Sequence, residues 1–232
     1  MNIAPVLLVF AALLLAACAA PTTATDTPVL PQNYRRATAA RTLTPDPRTP
    51  TVVSASDPRA LGNPAAPITL IEFTDYQCSY CAVFATEIKP QIIAEYVNTG
   101  RVYLVTRDFP LPNHSAAPQA AAAAQCAAQQ QAFQPMHDRL FSEARNGAWG
   151  DGGAGDQQIF STYAAEIGLD SARFTACLTN PATFAQVEAD LDVGRQLGLN
   201  STPTFLINGE RISGAQPYVF WKHVFDELLT QR

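Results

Sequence analysis

The sequence predicts an α/β fold with a block of helices set into its middle. Three observations point there. The apolar run Ile68 to Phe73 leads into a helical pattern and then into a second apolar run, Val102 to Thr106. A strand–helix–strand unit of this kind closes with a right-handed crossover, so the two strands are parallel. Residues 114 to 198 carry helical patterning, and after them come a short apolar run, a hairpin signal and a closing helix. The chain has 232 residues, of which 47% are hydrophobic and 15% charged, enough for one domain with appendages.

The N-terminus reads as an export segment. Val6 to Ala20 is apolar and rich in Ala and Leu. A permanent membrane span needs roughly 20 apolar residues, so the run suits the apolar region of a signal. Leu15-Ala16-Ala17-Cys18 ends it. This resembles the lipobox of bacterial lipoproteins, which implies lipidation of Cys18 and cleavage before it. No Lys or Arg precedes the run, unlike the usual signal; a cleaved secretory signal and an uncleaved anchor stay open. Pro21 to Pro50 is rich in Thr, Pro and Ala, and Pro28, Pro31, Pro45, Pro47 and Pro50 deny it regular hydrogen bonding. The expected division is 1–18 signal, 19–55 tether and 56–232 folded domain, with its helical insert at about 114–198.

Within the domain, Ile68 to Phe73 is a buried strand by its apolar density. From Cys78 to Val97, the residues Cys81, Phe84, Ala85, Ile88, Ile92, Ile93 and Tyr96 recur at helical spacing. Pro90 lacks an N–H and is expected to kink this helix. The Ala/Gln-rich stretch Ala116 to Phe133 reads as helix, because Ala is the strongest helix former. Pro135 is expected to break it before His137 to Ala144 resumes. Asn146 to Asp156, with five glycines, is a loop. Gln157 to Ile167, Ser171 to Leu178 and Pro181 to Leu197 are further helices, with Gly168 and Gly198 as C-terminal caps. Thr204 to Ile207 and Arg211 to Ser213 are strands joined at Asn208-Gly209, a hairpin signal. Pro217 to Leu229 closes the chain as a helix.

The chemistry concentrates at Cys78-Ser79-Tyr80-Cys81, directly after the first strand and at the start of a helix. Backbone N–H groups at a helix N-terminus favour negative charge, so a thiol there ionises below its usual pKa of about 8.5. A stabilised thiolate attacks disulfides and leaves mixed disulfides readily. Half of a zinc site has the same spacing, but a structural site takes about four ligands, and the sequence holds no second C-x-x-C and no H-x(3–5)-H. An inert disulfide staple remains a second alternative. Further on, Ser201-Thr202-Pro203-Thr204-Phe205 sets a proline directly before a short apolar strand.

Strand–CxxC–helix at one end and Thr-Pro-Thr-Phe at the other resemble the thioredoxin fold. The helical stretch between them makes the chain similar to the DsbA-like thiol:disulfide oxidoreductases. Glu72-Phe73-Thr74-Asp75-Tyr76-Gln77, Arg107-Asp108-Phe109-Pro110-Leu111, Phe133, Met136-His137-Asp138, Leu140-Phe141, Gly209 and Gly214-Ala215 fit the same pattern, over about residues 52 to 232. The resemblance implies a central mixed β-sheet flanked by helices, with an inserted α-helical domain. It implies Cys78 as the exposed nucleophile, Cys81 as the resolving thiol, and a cis Thr202–Pro203 bond facing them. It also implies an acid at Glu72, whose inward carboxylate beside Cys81 would carry a raised pKa and shuttle its proton. Asp75 and Tyr76 shape the loop before the helix. His114 reads as a cap or surface residue, and neither it nor His137 is placed in the chemistry. The Pro-His pair between the cysteines of some relatives is absent here.

Five cysteines then divide into Cys18 for lipid, the CxxC, and Cys126 with Cys177. Some members of the family carry a second disulfide in the insert, which implies a Cys126–Cys177 bond; two separate buried thiols are the alternative. The expected activity is thiol:disulfide exchange with exported proteins outside the cytoplasm, in the cell envelope or periplasm, with Cys78–Cys81 as disulfide donor. A membrane redox partner would recycle the pair, and no cofactor or metal is implied. Reduction or isomerisation is the alternative enzyme activity, and a metal carrier or binding module the non-enzymatic one. A net charge of −5 and a pI of about 5.1 argue against nucleic acid, which requires a basic face.

Overall fold

The computed structural model describes residues 53–231. The expected signal segment, Cys18 and nearly all of the expected tether lie outside them. The sheet is mixed and five-stranded, in the order β1-β3-β2-β4-β5. Its strands are β1 (Ala60–Leu61), β2 (Ile68–Thr74), β3 (Val102–Asp108), β4 (Thr204–Ile207) and β5 (Glu210–Ser213). β2 runs parallel to β3, and the remaining pairs are antiparallel. β2 and β3 sit inside the sheet with both faces covered, which explains their nearly continuous apolar sequence.

The two faces divide by the period of two along a strand. Ile68 and Leu70 meet Phe84, Ile88 and Ile92 of α1 (79–97), and Trp221, Val224 and Phe225 of α7 (Tyr218–Thr230). Ile71 and Phe73 face the other way, onto Phe109, Leu191 and Leu199. The insert consists of α2 (Ala117–Ala128), α3 (Phe133–Arg145), α4 (Ala154–Glu166), α5 (Ser171–Leu178) and α6 (Pro181–Gln196). Its core holds Phe133, Met136, Phe141, Trp149 and Phe160, and runs continuously into Tyr76, Cys78 and Cys81. The Ala run of α2 has a packing reason beyond propensity. Ala120 to Ala124 are all buried, and α2 touches α3, α4, α5 and α6, so only small side chains allow so many close neighbours.

Several local expectations need correction. α1 is not simply kinked at Pro90. It runs on through two π turns, Phe84–Ile88 and Ile93–Val97, and Lys89 N–H reaches back to Phe84 O. Widening the ladder ahead of Pro90 accommodates the missing donor. The break between α2 and α3 lies at Gln131 (φ 60°), before Pro135. Pro135 sits in the first turn of α3, where an N–H has no helical partner anyway. α4 starts at Ala154, earlier than expected, and β1 was too short to read. The glycines at 168 and 198 do end helices. Both have positive φ, and Leu169 N and Leu199 N bond back to Ala164 O and Gly194 O at 2.9 Å each.

Cys126 of α2 and Cys177 of α5 are joined at 2.02 Å, closing a loop with a sequence separation of 51. A second tie is ionic. Arg59 pairs with Asp190 and lies 3.5 Å from Asp108, while Arg107 pairs with Asp57 and lies 3.6 Å from Asp190. Gln125 Nε2 donates to Asp108 Oδ2 at 2.6 Å. This buried group fastens α2 and α6 of the insert to the end of β3, and burial pushes the Asp108 carboxyl up to about 7.

Gly194 marks where α6 presses on the core, since a Cβ there would meet the Phe109 ring at 2.4 Å. Gly194→Ala is therefore expected to lower the unfolding free energy by about 1–3 kcal/mol in denaturant titrations. Gly155→Ala, with nothing within 4 Å of the new methyl, is the control and is expected to be neutral or slightly stabilising.

Candidate active site

β2 ends at Thr74, and the chain turns through Asp75-Tyr76-Gln77 into α1. Two side chains fix that turn, the buried Asp75 and the half-buried Gln77. Asp75 Oδ1 accepts from Gln77 N at 2.7 Å, and Oδ2 accepts from Leu111 N at 2.7 Å with His114 Nδ1 2.8 Å away. Gln77 Oε1 accepts from Ala116 N and Ala117 N at 2.7 and 2.9 Å, and its Nε2 donates to Gly150 O at 3.1 Å. Ala116 has no side-chain cap to offer α2, so Gln77 caps that helix from the active-site turn. His114 thus anchors the turn through Asp75 and does not stand free on the surface.

Cys78 is the N-cap of α1, with extended backbone (φ −77°, ψ 120°). From across the sheet comes the loop before β4. Its Thr202–Pro203 bond is cis, and the Thr202 carbonyl oxygen lies 3.4 Å from Cys78 Sγ. The buried Thr202 hydroxyl has no hydrogen-bond partner. Both cysteines are free thiols. The expectation of an exposed Cys78 is only partly met. The residue is 7% exposed against 0% for Cys81, because the Thr202–Pro203 loop covers it; Tyr80 beside it is 66% exposed.

The electrostatics separate the two thiols. A hydrogen bond from the Cys81 thiol pulls Cys78 down, burial opposes it, and the Thr202 hydroxyl and the Cys81 and Tyr80 backbone N–H groups add to the lowering, giving about 6. Burial pushes Cys81 well above the ordinary thiol value, and the neighbouring Cys78 charge pushes it further. At neutral pH the pair is one thiolate and one thiol, sharing a hydrogen bond.

Glu72 is inward and fully buried, but its partner is an ammonium group. Lys89 Nζ lies 3.2 Å from Glu72 Oε2, 3.2 Å from Thr106 Oγ1 and 3.0 Å from His137 Nε2. Lys89 and His137 were missed by the sequence reading. The signal was available: Lys89 falls on the buried stripe of α1 between Ala85 and Ile92, where a lone basic residue needs a partner.

A family model described as Thioredoxin matches residues 54–227. The chain belongs to that family. The solved structure of α-DsbA1 from Wolbachia pipientis superposes with a TM-score of 0.70 at 22% identity, covering 79% of this chain and 96% of that one. Oxidised BdbD from Bacillus subtilis gives 0.67 at 23% identity, covering 76% and 95%. A thioredoxin-like oxidoreductase from Silicibacter pomeroyi DSS-3 gives 0.59 at 25% identity, covering 76% and 99%. The fold is thus DsbA-like, with the helical insert included.

Curated relatives carry a different name. A Na(+)/H(+) antiporter NhaA of Herminiimonas arsenicoxydans is 37% identical over 150 residues, 65% of this chain but 22% of that protein. An NhaA 1 of Mycobacterium sp. strain KMS is 32% identical over 176 residues, 73% and 27%. The chain therefore spans about a quarter of the length of these relatives, and their name describes the whole of each. Among the described residues, no helix is long and apolar enough to cross a membrane.

Two expectations follow from the lowered Cys78 value. Thiolate absorbance of the reduced protein is expected to titrate with a midpoint near 6, and Cys78→Ser is expected to remove that transition. Because the folded value lies below the ordinary 9.0, the thiolate's contribution to the stability of the reduced fold is present in full above about 9 and lost as pH falls through about 6. Thermal melts of the dithiol form across that range check the sign.

Proposed function

We propose that the chain is a disulfide donor to exported proteins, acting outside the cytoplasm. A substrate thiolate attacks Cys78 Sγ of the Cys78–Cys81 disulfide, that S–S bond breaks, and Cys81 leaves as a thiolate that takes up a proton. A second substrate thiolate then attacks the substrate sulfur of the mixed disulfide and displaces Cys78, which leaves as the stabilised thiolate. The substrate is oxidised by two electrons and the pair is reduced. The Thr202 backbone, beside Cys78, pairs with the substrate backbone during the exchange.

The observation that carries this reading is the position of Cys78 Sγ, at the start of α1 and 3.4 Å from the Thr202 carbonyl, with its pKa lowered to about 6. Whatever stabilises the thiolate stabilises the reduced form, and so raises the potential of the disulfide. The same geometry run in reverse is a reductase or isomerase, and the potential separates the two.

The site outside the cytoplasm is supported by the Cys126–Cys177 bond, a kind of bond that persists in oxidising compartments. In this reading residues 1–18 are a lipoprotein signal, Cys18 carries lipid, residues 19–55 form a tether to the membrane, and 56–232 is the working domain. A membrane redox partner takes the electrons from the Cys78–Cys81 dithiol.

Equilibration of the full chain with glutathione is expected to give a potential well above that of the glutathione pool, together with catalysed oxidation of a reduced, unfolded substrate. Cys78→Ser is expected to abolish both. A low potential with a stable dithiol would make the protein a reductase. Metabolic labelling with a fatty acid is expected to mark the protein, and Cys18→Ser to remove the label and release the chain from membranes.

A further inference from the structure

The turn that delivers Cys78 hangs on one carboxylate. The Asp75 side chain is fully buried, and its two oxygens take three donors. Oδ1 accepts the Gln77 N–H at 2.7 Å, and Oδ2 accepts the Leu111 N–H at 2.7 Å. The third donor is His114 Nδ1, at 2.8 Å from Oδ2. A carboxylate offers acceptors only, so the ring proton sits on Nδ1. The main chain of the same residue closes the turn, because Asp75 O accepts the Cys78 N–H at 3.1 Å. The N–H groups of Gln77 and Cys78, the last two before α1, therefore both end on Asp75.

His114 is itself held in place. Its N–H donates to Leu111 O at 3.0 Å, and its carbonyl accepts from Ala117 N at 3.3 Å. Pro110, Pro112 and Pro118 bracket it, each with φ fixed by its ring. Pro118 lies in the first turn of α2. The imidazole therefore reaches Asp75 from a preset position, and little further conformational freedom is lost in making the bond. Its side chain is 21% exposed and lines a pocket of about 310 Å³ with Leu111, Phe184, Val187 and Arg195. Of the three donors to Asp75 it alone is a side chain, so substitution removes it without touching the backbone.

We infer that His114 and Asp75 are positioning residues for the exchange, holding Cys78 at the start of α1 with its sulfur against the Thr202 carbonyl. The inference rests on the exchange reading but not on its direction. Cys78 is the N-cap of α1, and its Sγ lies 3.4 Å from Thr202 O. Both relations depend on where the Asp75–Cys78 turn delivers the main chain. A dry carboxylate left short of a donor turns toward water or takes up a proton, and both weaken its grip on the Gln77 N–H. The sulfur is then free to leave the Cys81 thiol and the N–H groups of the first turn, which together favour its thiolate. The reduced form loses that stabilisation, and the disulfide becomes a weaker oxidant.

The test compares wild type, His114→Leu and His114→Asn as full chains. Leu fills the space of the ring beside the pocket and offers no donor. Asn sets its amide nitrogen where Nδ1 stands and so restores the donor. The Cys78 thiolate midpoint is read from the pH profile of iodoacetamide alkylation, and the Cys78–Cys81 equilibrium from glutathione buffers. His114→Leu is expected to raise the midpoint and to shift the equilibrium about tenfold toward the disulfide, about 30 mV for a two-electron couple. His114→Asn is expected to return both to the wild-type values. His114→Ala is a second variant without a donor and is read in the same way, so a failure of the Leu variant to fold leaves the comparison intact. A wild-type midpoint and equilibrium in the donor-free variants overturn the inference and leave the exchange reading standing, whatever the melting temperature does. A shift that His114→Asn shares in full also overturns it, since the donor would then not be the cause. A wild-type chain that forms no mixed disulfide at Cys78 overturns the exchange reading and the inference with it.

Discussion

The closeness of the Cys78 sulfur to the Thr202 backbone is the contact on which the rest of the structure depends. The two residues are separated by 124 positions, and only the sheet brings them together. β2 pairs with β4 so that Phe73 lies opposite Thr204. One chain leaves that ladder upward into the Asp75–Gln77 turn, and the other arrives downward through Thr202–Pro203. A slip of one residue would turn the side chains of β4 to the opposite face. It would bury Leu206 where Phe205 packs on Phe84 and Trp221, and carry Thr202 away from the sulfur. The aromatic cluster under the sheet is therefore what holds the register, and the register is what holds the site.

The insert is coupled to the same point through polar contacts, chiefly those of Asp75 and Gln77. A hydrogen bond to a carboxylate contributes about 1.5–3 kcal/mol net, and leaving a buried partner unsatisfied costs comparably. Gln77 caps α2 and holds the Gly150 loop with the same side chain. The helical insert and the CxxC turn are thus one body. Their shared apolar core, from Cys81 through Tyr76 to Phe141, has the same consequence: Cys81 is kept dry because the insert covers it. The asymmetry between the two thiols is in this sense a property of how the insert docks.

What was legible in the sequence was whatever depends on local pattern. The strand–CxxC–helix order, Asn208-Gly209 and the helix-ending glycines 168 and 198 carry their own physical signatures within a few residues. What was not legible depends on partners far apart in the chain. Pro135 looked like a helix breaker because its position in the first turn is invisible until Gln131 is seen to turn the chain. Glu72 could be read as inward, but its partner Lys89 lies 17 residues on, and His137 another 48. Neither spacing pairs these residues by itself, although a lone Lys89 on the buried stripe of α1 signals that it needs a partner. The exposure of Cys78 was overestimated for the same reason: the loop that covers it belongs to the other end of the chain.

Two buried charge groups sit on this sheet, and they differ in a way that assigns them different work. In the first, Arg59 and Arg107 meet Asp57, Asp108 and Asp190, and Gln125 and the Asp108 N–H complete the acceptors. It joins β3 to the insert, away from the sulfurs, and behaves as a staple whose members are mutually neutralising. In the second, Glu72, Lys89 and His137 form a line, one end of which stops at a buried carboxylate oxygen of Glu72 without a hydrogen-bond partner while the other reaches the exposed Asp138. A buried ion pair rarely repays its desolvation over an apolar substitute, so it is weak support for stability. A fold already fastened by an ionic staple and a disulfide gains little from a second buried pair. The open oxygen of Glu72 and the exposed terminus at Asp138 are what the mutually neutralising staple lacks.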